Sequence, residues 1–545
     1  GNLNMRESLS SLAQQPWDII VIGGGITGAA VLREAARYGL KCLLLEQRDF
    51  AWGASSRSGK WVHGGLRYIK EGQLNVTWHS VHEREKLCRE LPGLINMKSM
   101  HWPLFKGQIK NELMIRAGLF LYDAMAGKRW RQRVKKEQLL ADFPGLQAPG
   151  LKGAVCFYEG QTDDARLTLR IIQEAQKEGA TALNYTQVTQ LIKENNSVCG
   201  VTVQQEGSSE TFNIRAHQVI AATGAWADDL RQQIHSDTTQ KLRPLRGSHL
   251  VFDQHRLPVK STLILEHPQD KRPGFITQFQ GRVIVGNTDI DHRQNMQRDA
   301  SVTGQEVDYL LQTVQHYFPQ YGIQRQDILA TFSGVRPVVD SGADDPSKES
   351  RDHIVWYEDG LITIGGGKLT TFQHIAVDAL KRIQRRFPQL RELDTGAPLL
   401  ASPDHPYTLA DFSVGQTERL SGRYGGALPH MIQLAGEDDL SLIPGTDTHW
   451  FELIWCARYE DVRHLDDLLL RRTRIGLLLK NGGADYFPRI RALVQTSLGW
   501  NNQQWQQEIS RYQQLWKMHY SVPDSEVVQL NSAPEKRLRE NQNDI

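Results

Sequence analysis

Asp18-Ile19-Ile20-Val21-Ile22 runs directly into Gly23-Gly24-Gly25-Ile26-Thr27-Gly28-Ala29-Ala30, and Leu43-Leu44-Leu45-Glu46 follows about one helix later. An apolar strand, a glycine turn, an alanine-rich helix, a second apolar strand and a terminal acid, in that order, specify a β-α-β unit that binds a dinucleotide. Gly23, Gly25 and Gly28 permit the tight bend, the close approach of backbone to pyrophosphate and the close packing of helix on strand. The amino end of the helix offers unpaired N–H groups and the positive end of its dipole to the phosphates. Glu46 stands where a carboxylate accepts hydrogen bonds from a ribose. Its charge would repel a 2′-phosphate, which disfavours NADP.

A chain of 545 residues with 40% hydrophobic composition is long enough for two or three cores. Lys and Arg total 64 against 62 Asp and Glu, and a net charge of +2 predicts neither a nucleic-acid binder nor an acidic tail. The five cysteines, Cys42, Cys88, Cys156, Cys199 and Cys456, are widely spaced without a C-x-x-C pair, which fits a reducing compartment and no metal. No stretch approaches the roughly 18 consecutive apolar residues that span a bilayer. The first residues are polar rather than signal-like, and Gly1 followed by Met5 reads as a short expression remnant outside the fold.

Along the chain, Leu74 to Leu91 reads as an amphipathic helix ended by Pro92-Gly93. An apolar helix from Leu113 to Met125 is followed by a basic run, Lys128, Arg129, Arg131, Arg133, Lys135 and Lys136. Residues 164 to 179 form a helix, and Ala182 to Gln205 alternate as strands around an Asn195-Asn196 turn. Val219 to Ala222 reads as a buried strand that opens into the small-residue turn Thr223-Gly224, beside the first phosphate loop. Residues 242 to 290 are β-rich. A second glycine-lined helix start follows at Gly365-Gly366-Gly367-Lys368-Leu369-Thr370-Thr371, with its helix running to about Phe387; a helix dipole there stabilises negative charge on a reduced flavin. After Pro403 the chain reads as a separate helical domain over 404–530, including a charged amphipathic helix from Arg458 to Lys480, and 531–545 reads as a mobile tail.

Ser55-Ser56, Lys60 and His63-Gly64-Gly65-Leu66-Arg67-Tyr68 resemble the signature of FAD-dependent glycerol-3-phosphate dehydrogenases. Further stretches match in family order: Thr162-Asp163-Asp164-Ala165-Arg166-Leu167, Arg246-Gly247-Ser248-His249, Ser333-Gly334-Val335-Arg336-Pro337, Ser350-Arg351-Asp352-His353 and Gly366-Gly367-Lys368-Leu369-Thr370-Thr371. The resemblance implies an α/β fold like that of glycine and D-amino-acid oxidases. In it a Rossmann-like FAD domain over 17–95, 155–240 and 330–395 is interleaved with a β-rich substrate domain over 96–154 and 241–329.

The same resemblance implies oxidation of sn-glycerol 3-phosphate to dihydroxyacetone phosphate, with electrons passed to ubiquinone or menaquinone. It places the protein in the cytoplasm, peripheral on the inner face of the membrane, with a homodimer as the candidate assembly. It implies FAD contacts from Gly23, Gly25, Gly28, Glu46, Ser55, Ser56, Lys60, His63, Gly64, Thr223, Gly224, Gly366, Gly367, Lys368, Leu369 and Thr370. Arg336, Arg351 and Lys368, with Thr371, hold the substrate phosphate, because planar or point cations suit a phosphomonoester. His63 is the first candidate base and His249 the second, with Arg67, Tyr68 and Arg336 orienting the substrate. The sequence departs from the family pattern at Phe275 to Phe279, at Asn287, and at Arg57 and Gly59, where Arg57 adds a cation close to the expected flavin. Two other readings stand beside this one: a soluble oxidase using oxygen on a phosphorylated alcohol, and a non-enzymatic FAD redox sensor, which has no evident need of a phosphate clamp.

Overall fold

The computed structural model describes residues 6–234, 241–340, 342, 344, 353–401 and 409–524. Arg351, the third expected phosphate ligand, and the tail over 531–545 lie outside the described residues.

One sheet carries the strands His353–Glu358, Leu361–Gly366, Thr211–Ala221, Trp17–Ile22, Cys42–Leu45 and Thr181–Leu183, in that order. All neighbours along it are parallel except the edge pair of His353–Glu358 with Leu361–Gly366. Ile19, Ile20, Val21 and Leu43 to Leu45 are buried on both faces, which is why these strands read as unbroken apolar runs rather than as alternation. The helices Ile26–Arg37, Asp164–Lys177 and Phe372–Lys381 share one core with this sheet. Thr186–Glu194 and Ser197–Gln205 form an antiparallel meander into Thr211–Ala221, folded around the Asn195-Asn196 turn.

A second sheet of ten strands orders Ile290–Asp291, Leu242–Asp253, Arg282–Gly286, Pro273–Phe279, Thr262–Glu266, Ile95–Phe105, Leu151–Thr162 and Trp61–Val62. Ile328–Val339 pairs with Leu242–Asp253 in this sheet, and Gln132–Lys135 pairs with Leu151–Thr162. Two of the boundaries read from the sequence therefore move. The limits at 155 and 330 assign most of Leu151–Thr162 and Ile328–Val339 to the cofactor part, yet both strands take their ladder partners in the substrate sheet. These strands are buried over most of their length, as are those of the first sheet, and only the pairing distinguishes them.

The helix after the second glycine turn ends at Lys381 rather than near Phe387; the chain then turns so that Ile383 and Phe387 enter the core beside Leu390. The expected helix from Arg458 to Lys480 does not form. Trp450–Tyr459 ends there, Asp461 adopts φ 53°, and a π-helical turn Asp467–Arg472 leads to the short helix Ile475–Leu478. The reason is that the charges point inward. Asp466, Asp467, Arg471, Arg472 and Arg474 are buried, and the irregular backbone aims all but Asp466, which pairs with Arg471 and Arg511, at partners across the domain boundary.

Arg166 meets Glu460 through two bonds of 2.7 and 2.8 Å, Arg423 meets Asp163 at 2.8 Å, and Arg471 meets Asp49, Asp466 and Asp467 at 2.6 to 2.7 Å. The apolar core of the carboxy-terminal helices continues onto Val251, Phe279, Ile284, Ala330 and Phe332 of the second sheet. The helical domain is thus fixed to the substrate sheet by packing and to the first sheet by buried ion pairs.

Candidate active site

The glycine turns build a cradle that side chains would fill. A Cβ on Gly23 would lie 2.2 Å from the carbonyl oxygen of Ala222, and one on Gly28 would lie 1.9 Å from that of Gly23. Gly23 also holds φ 110°, open to glycine alone at this place. Gly25 caps the Ile26–Arg37 helix with no side-chain bond, and Ser55 Oγ accepts the N–H of Ile26 at 2.8 Å. Glu46 accepts from the N–H of Gly24 at 2.9 Å and of Arg48 at 2.6 Å. Burial nevertheless raises its carboxyl above the usual range, against the lowering by those two bonds.

Gly224, Gly366 and Gly367 all hold positive φ where the strands Thr211–Ala221 and Leu361–Gly366 end beside this turn. Leu369 to Thr371 then form a single 3-10 turn into the Phe372–Lys381 helix. Thr370 Oγ1 donates to the carbonyl of His63 at 2.9 Å, tying this turn to the histidine segment.

Four polar atoms around the resulting cleft are buried without a hydrogen bond: Thr223 Oγ1, Trp61 Nε1 and both ring nitrogens of His249. Buried orphans are uncommon and point to a missing partner. Beside the glycine-lined cradle and the buried carboxylate of Glu46, they fit a flavin dinucleotide.

His63 and His249 sit in one ring of cations. Burial first, then Lys368, Arg67, Arg336 and Arg84, hold His63 well below the ordinary imidazole range. Burial first, then Lys60, Arg336 and Arg272, do the same to His249. Arg336 is near enough to act on both rings. Lys368 Nζ is 4.6 Å from the Tyr68 ring, and a Cβ on Gly65 would come within 3.0 Å of it. Arg67 lies over the same tyrosine at 5.3 Å. Arg336 Nη2 reaches Asp289 Oδ1 at 3.2 Å, and Arg272 approaches the same carboxylate at 3.9 Å. Two of the three expected phosphate cations, Arg336 and Lys368, therefore converge, from separate sheets.

The two histidines differ in what they present. His63 Nδ1 accepts the N–H of Gly65 at 3.0 Å, so the neutral ring carries its proton on Nε2 and offers a donor. His249 stacks on Phe332 at 4.6 Å and stands 5.8 Å from Phe275, with neither nitrogen engaged. A Cβ on Gly286 would lie 2.3 Å from its Cδ2, so that glycine makes room for the ring. Gly64 does the same for Tyr122, whose hydroxyl would be 2.2 Å from an added Cβ.

Several expected contacts turn inward. Lys60 is buried, pairs with Asp164 at 2.9 Å and lies 4.8 Å from the Phe332 ring on which His249 stacks. Burial and Arg474, against Asp164, bring its ammonium down to about 8. Ser56 turns its carbonyl, not its hydroxyl, to work, accepting from Lys60 at 3.2 Å and from Arg474. The extra cation expected from Arg57 is absorbed: it pairs with Asp299 at 2.8 Å and packs between Trp52 and Tyr520. Sequence reasoning missed Arg272, which nothing in its Lys271-Arg272 loop distinguishes. It also missed the group of Arg84, Tyr122 and Glu159, whose carboxylate takes the Tyr122 hydroxyl at 2.6 Å and Arg84 at 2.8 Å behind Gly64.

A family model described as FAD dependent oxidoreductase matches residues 18–373, and one described as C-terminal domain of alpha-glycerophosphate oxidase matches residues 364–505. The aerobic glycerol-3-phosphate dehydrogenase of Staphylococcus haemolyticus is 32% identical over 499 residues, covering 86% of this chain and 89% of its own. That of Staphylococcus aureus is 35% identical over 381 residues, 69% of this chain and 68% of its own. The crystal structure of the glycerol-3-phosphate dehydrogenase from Bacillus halodurans complexed with FAD superposes with a TM-score of 0.75 at 25% identity, over 94% of this chain and 97% of that one. An L-alpha-glycerophosphate oxidase from Mycoplasma pneumoniae with FAD bound shares the fold, with a TM-score of 0.54 at 19% identity, over 70% of this chain and 96% of that one.

Proposed function

The chain belongs to the family of FAD-dependent aerobic glycerol-3-phosphate dehydrogenases, and on that premise we propose that it oxidises the secondary alcohol of sn-glycerol 3-phosphate to dihydroxyacetone phosphate and passes the electrons to a membrane quinone. The observation that carries this reading is the meeting of Arg336 and Lys368 around His63 beside a glycine-lined cradle. FAD, when bound there, supplies the hydride acceptor. Arg336 and Lys368 take the phosphomonoester, the guanidinium in a bidentate fork and the ammonium as a point charge. His63 donates from Nε2 and orients the substrate hydroxyl or its carbonyl product. His249, neutral and without a hydrogen bond, receives the alcohol proton as the C–H bond breaks. A substrate dianion offsets the cations that hold both rings deprotonated, so His249 gains proton affinity only once the substrate is seated.

An exposed apolar stripe supports the quinone as acceptor. The helix Ile109–Ala126 turns Glu112, Leu119, Tyr122 and Asp123 inward, yet Ile109, Leu113, Met114 and Phe120 are 66%, 61%, 55% and 61% exposed. They recur at helical spacing on the outer face, with Lys110 and Arg116 among them and Lys106, Lys128 and Arg129 exposed beyond its ends. An apolar stripe edged by cations lies in the plane of an anionic interface. Among the described residues no helix is long and apolar enough to cross a membrane.

The test is anaerobic addition of glycerol 3-phosphate to the yellow protein while the oxidised flavin band is followed. Rapid bleaching is expected, with the colour restored by a quinone. Bleaching by another phosphorylated alcohol but not by this one would overturn the substrate.

A further inference from the structure

A row of rings leads from the second glycine turn to the apolar face. His353 is the ladder partner of Gly366, and a Cβ on Gly367 would lie 3.4 Å from His353 Cβ. His353 Nε2 is 2.7 Å from Asp378 Oδ2. Its ring stands edge-on to His374 at 5.9 Å, and His374 stacks on His79 at 4.7 Å with 20° between planes. His79 meets Trp78 edge-on at 5.3 Å, and Trp78 lies 3.9 Å from His82. Leu74 and Trp78 are each 48% exposed, on a helix that packs against the apolar helix Ile109–Ala126. One turn after His79, Glu83 keeps a buried carboxyl oxygen without a hydrogen bond, and burial pushes that group up to about 7 against Lys86.

We propose that His353, His374 and His79 form a proton relay between the second glycine turn and an acceptor quinone at the Leu74–Trp78 edge, a role that rests on the quinone reading above. The alcohol gives up two electrons and two protons in becoming a ketone, and a quinone takes two electrons and two protons in becoming a hydroquinone. Both electrons and one hydrogen travel with the cofactor as the hydride. The alcohol's own O–H proton needs another path to the quinone, because a face pressed against lipid excludes water. Each neutral imidazole has one N–H and one lone pair, so a proton bonds to one nitrogen as another leaves its partner, and the last one forms an O–H bond on the quinone.

The ring separations are those that a ring rotation or one bridging water spans. Burial first, then His79, His353 and Lys381, against Asp378, keep His374 in the middle of the row below its ordinary range.

The test compares His374→Phe and His79→Phe, which keep the ring stack, with the full-length holoprotein. Turnover is read with menadione, which needs protons, and with ferricyanide, which takes electrons alone. Menadione binding is read separately by quenching of tryptophan fluorescence. The relay requires menadione turnover to fall at least tenfold, with a larger solvent isotope effect. Ferricyanide turnover, flavin bleaching by glycerol 3-phosphate and menadione quenching should stay within twofold. Unchanged menadione turnover in both variants overturns the relay, and so does an equal loss with ferricyanide, which marks a structural role. A wild-type protein that bleaches with glycerol 3-phosphate but reduces no quinone removes the acceptor reading itself.

Discussion

Arg472 and Asp49, 423 positions apart, face each other through two parallel bonds of 2.8 Å, with neither side chain exposed. Asp49 follows Glu46 by three residues, so this pair locks the carboxy-terminal domain to the loop beneath the expected ribose site. Burial alone would raise the Asp49 carboxyl; Arg472 and Arg471 more than reverse it. Removing one partner of a buried pair leaves an uncompensated charge and costs about 3–5 kcal/mol. Arg472→Ala should therefore lower the melting temperature and release FAD on gel filtration, measured by calorimetry and by the ratio of flavin to protein absorbance. Arg472→Ala with Asp49→Ala should recover part of the stability. Full flavin retention in the single variant would show that the domain contact does not support the cradle.

Lys368 is placed by its backbone at the start of the second glycine-lined turn. It follows two glycines at positive φ and leads into the 3-10 turn tied to His63. A charge-assisted bond to phosphate is worth about 1.5–3 kcal/mol, which corresponds to roughly a 10- to 150-fold rise in the apparent KM of Lys368→Ala for glycerol 3-phosphate. The flavin spectrum should keep its intensity. Arg336→Lys should also raise KM, since an ammonium cannot reproduce the bidentate fork.

The two histidines separate by kinetics. His249→Asn should slow flavin reduction by roughly 10²–10⁴-fold in stopped flow, the usual worth of a positioned base. His63→Asn, which keeps a donor, should act mainly on KM. Both rings are held well below the ordinary imidazole range in the free protein. The acid limb of kcat/KM should then fall well under pH 6.5, once the substrate's own second ionisation near about 6 is allowed for. In kcat the limb should move upward, because the bound dianion restores proton affinity. A limb at the same pH in both profiles would remove the electrostatic coupling between phosphate and base.

The cofactor cradle was legible in the sequence because its physics is local. Gly23 and Gly28 are demanded by contacts that one β-α-β unit makes within itself and with the next strand, and such contacts leave a pattern in neighbouring residues. Lys368 and His63 were legible only through resemblance, since what makes them a site is their approach from separate sheets. The charged stretch from Arg458 to Lys480 misled for the opposite reason. Its periodic Arg and Asp residues look like a solvated helix face, and only the partners Asp49, Asp163 and Arg166 reveal the stretch as an internal lock. Arg57 misled likewise, because its neutralising Asp299 is 242 positions away.

The outward stripe of the Ile109–Ala126 helix makes a prediction about location. Leu113→Glu with Phe120→Glu places two charges on residues that touch no core, so folding and soluble turnover with ferricyanide should stay within twofold. Flotation with vesicles containing anionic lipid should fall strongly, and turnover with a vesicle-borne quinone should fall in proportion. Wild-type binding should weaken with salt, since Lys110 and its neighbouring cations supply the electrostatic part. Salt-insensitive flotation that survives both substitutions would assign membrane contact to another face.

His464 bridges the two parts of the molecule, with Nε2 2.6 Å from Glu206 and Nδ1 2.8 Å from Glu508. Both ring nitrogens must donate for both bonds to form, so the ring is an imidazolium. Burial opposes that charge, yet Glu206 and Glu508 raise the group to about 10. A folded-state value above the unfolded one means stabilisation that is complete below pH about 6.5 and is lost as pH rises through about 10. The melting temperature should accordingly drop across that window by more in the wild type than in His464→Gln, whose amide is uncharged throughout. At pH 6 the variant should melt lower by roughly 2–4 °C, and by pH 10.5 the two should converge. A variant whose deficit is the same at both pH values would show that the bridge works by shape alone.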